Sequence, residues 1–109
     1  MVNGPPEGDV LVLSWGGTYG AVTSAVRSLQ AEGYAVSSIH LRHLNPFPDD
    51  LEAMLARFRK ILMPELNTGQ LAMLVRARYL VDAITLSKME GRPFRVAEIR
   101  EAILNLLNA

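Results

Sequence analysis

The sequence predicts an α/β fold of three layers, α/β/α, around a mostly parallel sheet of four to five strands. Three observations predict it. Short apolar runs alternate with segments of helical periodicity. The first run, Asp9 to Trp15, is continuously apolar, which is the pattern of a strand covered on both faces. The segments between them are long enough for right-handed crossovers, which need roughly ten or more residues. No internal repeat, low-complexity tract or internal linker interrupts the 109 residues, and that length fits one domain.

The elements follow in order. Asp9 to Trp15 is a continuous apolar run and reads as the first strand. Val22, Ala25, Val26 and Leu29 then recur at helical spacing, with Arg27 and Glu32 off the stripe and Gly33 as the stop. Val36 to Leu41 reads as the second strand. Pro48, Asp49 and Glu52 suggest a capping box for a helix whose stripe is Leu51, Met54, Leu55 and Phe58. Lys60 to Met63 is the third strand, and Pro64 is expected to end it by withholding an amide donor. Asn67 with Gln70 caps a further helix through Leu71, Leu74 and Val75. Ala83 to Leu86 is a shorter fourth strand. The last helix carries Ile99, Ala102, Ile103, Leu106 and Leu107 on one face. Arg95 stands about where a small polar cap belongs, so the cap must come from elsewhere or the start is frayed.

Composition removes several function classes. Formal net charge is zero, with 11 basic and 11 acidic residues, so there is no basic excess for nucleic acid or an anionic membrane. No cysteine is present, which excludes a disulfide framework, a zinc ribbon and a cysteine-ligated iron–sulfur cluster. No apolar run approaches the roughly 20 residues of a bilayer span. Met1 to Gly8 has neither the basic start nor the apolar core of a signal peptide, so a cytoplasmic protein is expected.

The polar strand-end loops carry the candidate site. Gly16, Gly17, Thr18 and Tyr19 follow the first strand and open the first helix, where backbone amides can meet an anion. Their spacing is not G-x-G-x-x-G, and Arg42 and His43 stand where a dinucleotide fold places an acid, so a tight turn capped by Thr18 is the simpler reading. Ser14 faintly suggests a nucleophile elbow, yet position 12 is Val and not Gly. Only His40 and His43 can serve it as base, and no acid is placed by sequence to orient them. Two histidines without a third ligand make a poor metal site. Glu65 and Asn67 close the third strand as a possible acid, base or ligand, or as partners for loop amides. The five methionines are scattered as gap-fillers, and Arg57, Arg59 and Lys60, like Arg76 and Arg78, read as solvated clusters. No catalytic, cofactor-binding or metal-binding set is complete. Gly16, Gly17, Thr18, Tyr19, Arg42, His43, Asn45, Glu65, Asn67 and Gln70 are the candidate ligand or interface edge.

Three blocks carry a family resemblance: Asp9 to Val22 (DVLVLSWGGTYGAV), His40 to Pro48 (HLRHLNPFP) and Met63 to Leu71 (MPELNTGQL). In this order and at these separations they resemble the carboxyl-terminal region of the α subunit of 2-oxoacid:ferredoxin oxidoreductases, particularly the 2-oxoglutarate type. The tail Lys88 to Phe94 followed by a helix is similar too. Looser versions occur in the transketolase carboxyl-terminal domain and in β subunits of 2-oxoacid dehydrogenase E1 components. The resemblance implies a transketolase carboxyl-terminal-like fold over 9–109, with 1–8 as a linker or truncated upstream segment. It implies an antiparallel edge strand upstream of Asp9, which is expected to be missing here in an excised or truncated domain. It implies a parent enzyme using thiamine diphosphate, magnesium and iron–sulfur clusters to convert a 2-oxoacid into an acyl-CoA with ferredoxin as acceptor. None of these cofactors is expected in this domain, whose partners would be the rest of the α subunit and the β subunit.

Two functions from different classes follow. The first is a non-catalytic structural and subunit-interface domain of such an oxidoreductase, inactive in isolation. The second is a regulatory module binding a small ligand or nucleotide through Gly16–Gly20, His43 and Glu65. A flavodoxin-like carrier is a weaker third. Homodimers are also expected, through the edge left by the missing strand or through the last two helices.

Overall fold

A computed structural model describes residues 2–15, 19–41, 51–65, 83–87 and 94–108. Five strands form one sheet: β1 (Val2–Asn3), β2 (Gly8–Trp15), β3 (Val36–Leu41), β4 (Phe58–Glu65) and β5 (Ala83–Ser87). Their spatial order is β1-β3-β2-β4-β5. β1 is antiparallel to β3, and every other pairing is parallel. Three described helices pack on the sheet: α1 (Tyr19–Ala31), α2 (Leu51–Leu55) and α3 (Val96–Leu107).

The side-chain alternation of the strands builds two cores, as expected for strands covered on both faces. Leu11, Leu13, Ile39, Leu41, Ile61 and Met63 pack with Leu51 and Leu55 of α2 on one face. Val10, Val12, Val36 and Leu62 pack on the other with Val22, Ala25, Val26 and Leu29 of α1 and Ile99 and Ile103 of α3. Every residue of the predicted α1 stripe is therefore buried. Gly33 ends that helix in a Schellman arrangement: its φ is 93°, the Gly33 amide donates to the Gln30 carbonyl, and the Tyr34 amide donates to Leu29.

Four local expectations change. Phe58 belongs to β4 and not to the preceding helix. The chain turns at 56–57, the Gly8 amide donates to the Arg57 carbonyl, and pairing with β2 begins at Gly8–Phe58. Strand pairing thus overrides the helical spacing of Phe58. Pro64 does not end its strand, because the β5 neighbour carries β4 on to Glu65. The antiparallel edge strand is present, since Val2 pairs with Ile39 and Asn3 with Ser38. Residues 2–3 are therefore sheet and not linker, and the outer edge of β3 is not the open dimer edge expected. Finally, Arg95 caps α3 without a small polar side chain: its amide donates to Glu98 Oε1 at 2.8 Å, the return half of a capping box.

The amino-terminal segment is tied down by side chains whose role was not foreseen. Gln30 Nε2 of α1 donates to the Asn3 carbonyl at 3.2 Å and to the Val36 carbonyl at 3.0 Å. Ser37 Oγ donates to the Pro5 carbonyl at 2.6 Å. Gly4 sits between them with φ 119°, and a Cβ there would collide with the Gln30 side chain. The helix layer is clamped too: Arg100 of α3 pairs with Glu32 and donates to Ser28 Oγ of α1 at 2.6 Å.

Candidate functional site at the carboxyl edge of the sheet

Four parallel strands bring four strand ends to one edge: Trp15, Leu41, Glu65 and Ser87. Numbered in chain order, the parallel strands β2, β3, β4 and β5 lie in the spatial order 2-1-3-4. The order reverses between β2 and β4. In open α/β sheets that reversal is where connections leave to opposite sides and a crevice forms at the carboxyl ends.

The bridged part of the β2–β4 ladder is shorter than either strand. β2 and β4 are paired from Gly8–Phe58 to Val12–Leu62. Beyond this, among the described residues, β2 continues on β3 as far as Trp15–Leu41, and β4 continues on β5 as far as Glu65–Ser87. Each strand keeps its outer neighbour while the central ladder stops.

The candidate residues distribute around this edge as the topology dictates. Tyr19 opens α1, and Glu65 ends β4. Gly16, Gly17, Thr18, Arg42, His43, Asn45, Asn67 and Gln70 lie outside the described residues, as do the Asp49 cap, the helix expected through Leu74, and Arg76 and Arg78. By chain order, 16–18 follow β2, 42–45 follow β3, and 67–70 follow β4. Two of these three groups therefore leave from the strands that flank the reversal.

The structure also unites two residues that the sequence left apart. Ser14 and His40 are register partners on β2 and β3, and Ser14 Oγ lies 3.1 Å from His40 Nδ1. Ser14 is 0% exposed, so its hydroxyl cannot reach a substrate and the pair is no nucleophile and base. Each residue stands one place before the end of its strand. Among the described residues no group of three or more His, Cys, Asp or Glu is placed to hold a metal ion.

Lys60 corrects the reading of a solvated cluster. Arg57 and Arg59 are exposed, and Arg59 meets Asp9 at 3.3 Å, but Lys60 Nζ is half-buried and donates to the Leu106 carbonyl at 2.9 Å. It supplies a cation to the last turn of α3, which has no basic residue of its own. The Glu32 carboxyl, on the opposite, amino side of the sheet, is held below its usual range. The Arg100 hydrogen bond is the main cause, burial opposes it, and the Arg100 charge adds to it.

Comparison with known proteins gives this geometry a family. The model for pyruvate:ferredoxin oxidoreductase core domain II matches residues 8–99. The chain is 44% identical over 96 residues to 2-oxoglutarate oxidoreductase subunit KorA of Mycobacterium tuberculosis, covering 86% of this chain and 15% of that protein. A solved 2-oxoglutarate:ferredoxin oxidoreductase from Magnetococcus marinus, with 2-oxoglutarate, coenzyme A and succinyl-CoA bound, superposes with a TM-score of 0.93 at 33% identity. It covers 98% of this chain and 19% of that one. A split-gene transketolase, an inactive beta4 tetramer, shares the fold at a TM-score of 0.72 and 16% identity, covering 99% of this chain and 42% of that one. The chain thus spans less than a fifth of the length of both oxidoreductase relatives.

Proposed function

Because the chain belongs to the pyruvate:ferredoxin oxidoreductase core domain II family, we propose that it is a structural and subunit-interface domain of a 2-oxoacid:ferredoxin oxidoreductase α subunit and not a catalyst by itself. The observation that carries this reading is the match to the Magnetococcus marinus enzyme, in which the whole of this chain corresponds to about one fifth of a larger chain. The parent enzyme would oxidatively decarboxylate a 2-oxoacid to an acyl-CoA and pass the electrons to ferredoxin. Two relatives named for 2-oxoglutarate support that substrate.

With no cysteine, the chain has no thiolate for an iron–sulfur cluster. We assign thiamine diphosphate, magnesium and the clusters to other parts of the parent enzyme. The partners are the rest of the α subunit and the β subunit. Gly16, Gly17, Thr18, Tyr19, Arg42, His43, Asn45, Glu65, Asn67 and Gln70 are the proposed contact residues. Among the described residues no helix is long and apolar enough to cross a membrane.

The reversal of strand order between β2 and β4 supports a second reading, in which the same edge binds a small ligand or nucleotide. Calorimetric titration of the chain separates the two. Thiamine diphosphate with magnesium, coenzyme A and 2-oxoglutarate are each expected to give no saturable heat. Micromolar binding of thiamine diphosphate contradicts the structural-domain reading, and saturable binding of coenzyme A or 2-oxoglutarate favours the second.

A further inference from the structure

We infer that Gln30 and Ser37 form, with the outer edge of β3, a clamp on the main chain of residues 2–5, and that this strap leaves the clamp without unfolding the sheet. The described bonds that hold the strap end on its backbone. Val2 and Asn3 pair with Ile39 and Ser38. Gln30 Nε2 donates to the Asn3 carbonyl at 3.2 Å, and Ser37 Oγ donates to the Pro5 carbonyl at 2.6 Å. Both donors are themselves fixed: Gln30 Nε2 also donates to the Val36 carbonyl at 3.0 Å, and Ser37 is fully buried in β3. Gly4 stands between the two gripped carbonyls with φ 119°, and a Cβ there would run into Gln30 Nε2 and Ser37 Oγ together. The clamp therefore reads a carbonyl, a glycine and a carbonyl in succession. It does not use the Asn3 amide group as a donor, since Asn3 Nδ2 is buried with no hydrogen-bond partner among the described residues.

The same observations make the strap separable. Gly4, Pro5, Pro6 and Glu7 are exposed, and none of residues 3–7 joins either hydrophobic core. Pro5 and Pro6 have no amide hydrogen and add no donor. The unpaired Asn3 Nδ2 works against docking. Past the strap the chain is anchored afresh: the Gly8 amide donates to the Arg57 carbonyl at 3.3 Å, and the Asp9 amide donates to the Ala35 carbonyl at 2.8 Å. Release of the strap thus leaves the β2–β3 ladder, Val10–Val36 to Trp15–Leu41, in place. It uncovers the outer edge of β3 and the Ser37 hydroxyl, a free sheet edge to which an extended segment can add. This device does not rest on the function proposed above.

Native-state amide hydrogen exchange on the whole chain tests this. The β3 amides bonded to β1 are expected to exchange about tenfold or more faster than those bonded to β2, by a local opening. That opening is expected to be nearly insensitive to low urea, because it exposes little surface. Equal protection on the two sides of β3 makes strap and sheet one unit and overturns the separable strap. Gln30→Glu keeps the shape of the side chain and turns a carboxylate, which cannot donate, toward the Asn3 carbonyl. Gly4→Ala sets a methyl group against both donors. Each is expected to speed exchange of the β1-bonded amides about tenfold, the scale of one or two neutral hydrogen bonds, with the β2-bonded amides unchanged. Asn3→Ala leaves every named bond in place and is expected to alter neither set. Release of the strap by Asn3→Ala to the same degree overturns the main-chain reading, and unchanged exchange in Gly4→Ala overturns the glycine requirement. A Gly4→Ala chain that fails to fold contradicts separability outright.

Discussion

Glu32 and Arg100 join α1 to α3 through one carboxylate and one guanidinium. The Glu32 carboxyl is lowered, so the folded chain holds its proton less tightly than the unfolded chain does. Its contribution is therefore fully present above the ordinary carboxylate range and fades as pH falls through the depressed folded value. Urea midpoints should be slightly lower for Glu32→Gln than for the wild type at neutral pH, and the two should converge in acid. A gap that persists unchanged into acid would show that the carboxylate is not its source. The pair is partly exposed, so the effect is modest and weakens with salt. The pair was not legible in advance. Glu32 and Arg100 are 68 positions apart, and only the packing of two helices on one sheet face brings them together.

At the scale of elements, α3 shows how a helix can borrow its ends. Glu98 returns to the Arg95 amide at the start, and Lys60 reaches the Leu106 carbonyl at the end from a neighbouring strand. Lys60→Met keeps the aliphatic stem and removes the donor. It should cost about 0.5–1.5 kcal/mol, the net worth of a typical hydrogen bond, read as a shift in urea midpoint with unchanged slope. No shift would mean that water replaces the contact without loss. Strand and helix existence was readable from periodicity: the α1 stripe, the β2 run and the Ile99–Ile103 face all lie in the core. Boundaries set by pairing were not. Phe58 fits a helix stripe equally well, and only β2 beside it makes it a strand residue. Pro64 reads as a terminator until β5 is seen to continue β4 past it. Val2 and Asn3 carry no strand signal of their own, being held by Gln30 and the edge of β3.

Across the whole molecule, the topology brings distant strand ends to one edge. Trp15, Leu41, Glu65 and Ser87 are distant in sequence, and parallel pairing sets the ends of β2, β3, β4 and β5 on the same side. That parallel order was legible from the alternation of strands and helices. The stop in the β2–β4 ladder and the Ser14–His40 tie were not, because both depend on register, which a single strand does not encode. A graft shows whether this domain supports an oxidoreductase without performing its chemistry: residues 2–109 of this chain replace the matched domain of the 44% identical relative. The chimera is expected to assemble and to reduce ferredoxin at the parent's order of rate and with the parent's selectivity among 2-oxoacids. An assembled chimera that is inactive, or whose 2-oxoacid selectivity has moved, would contradict the claim and place chemistry in this domain.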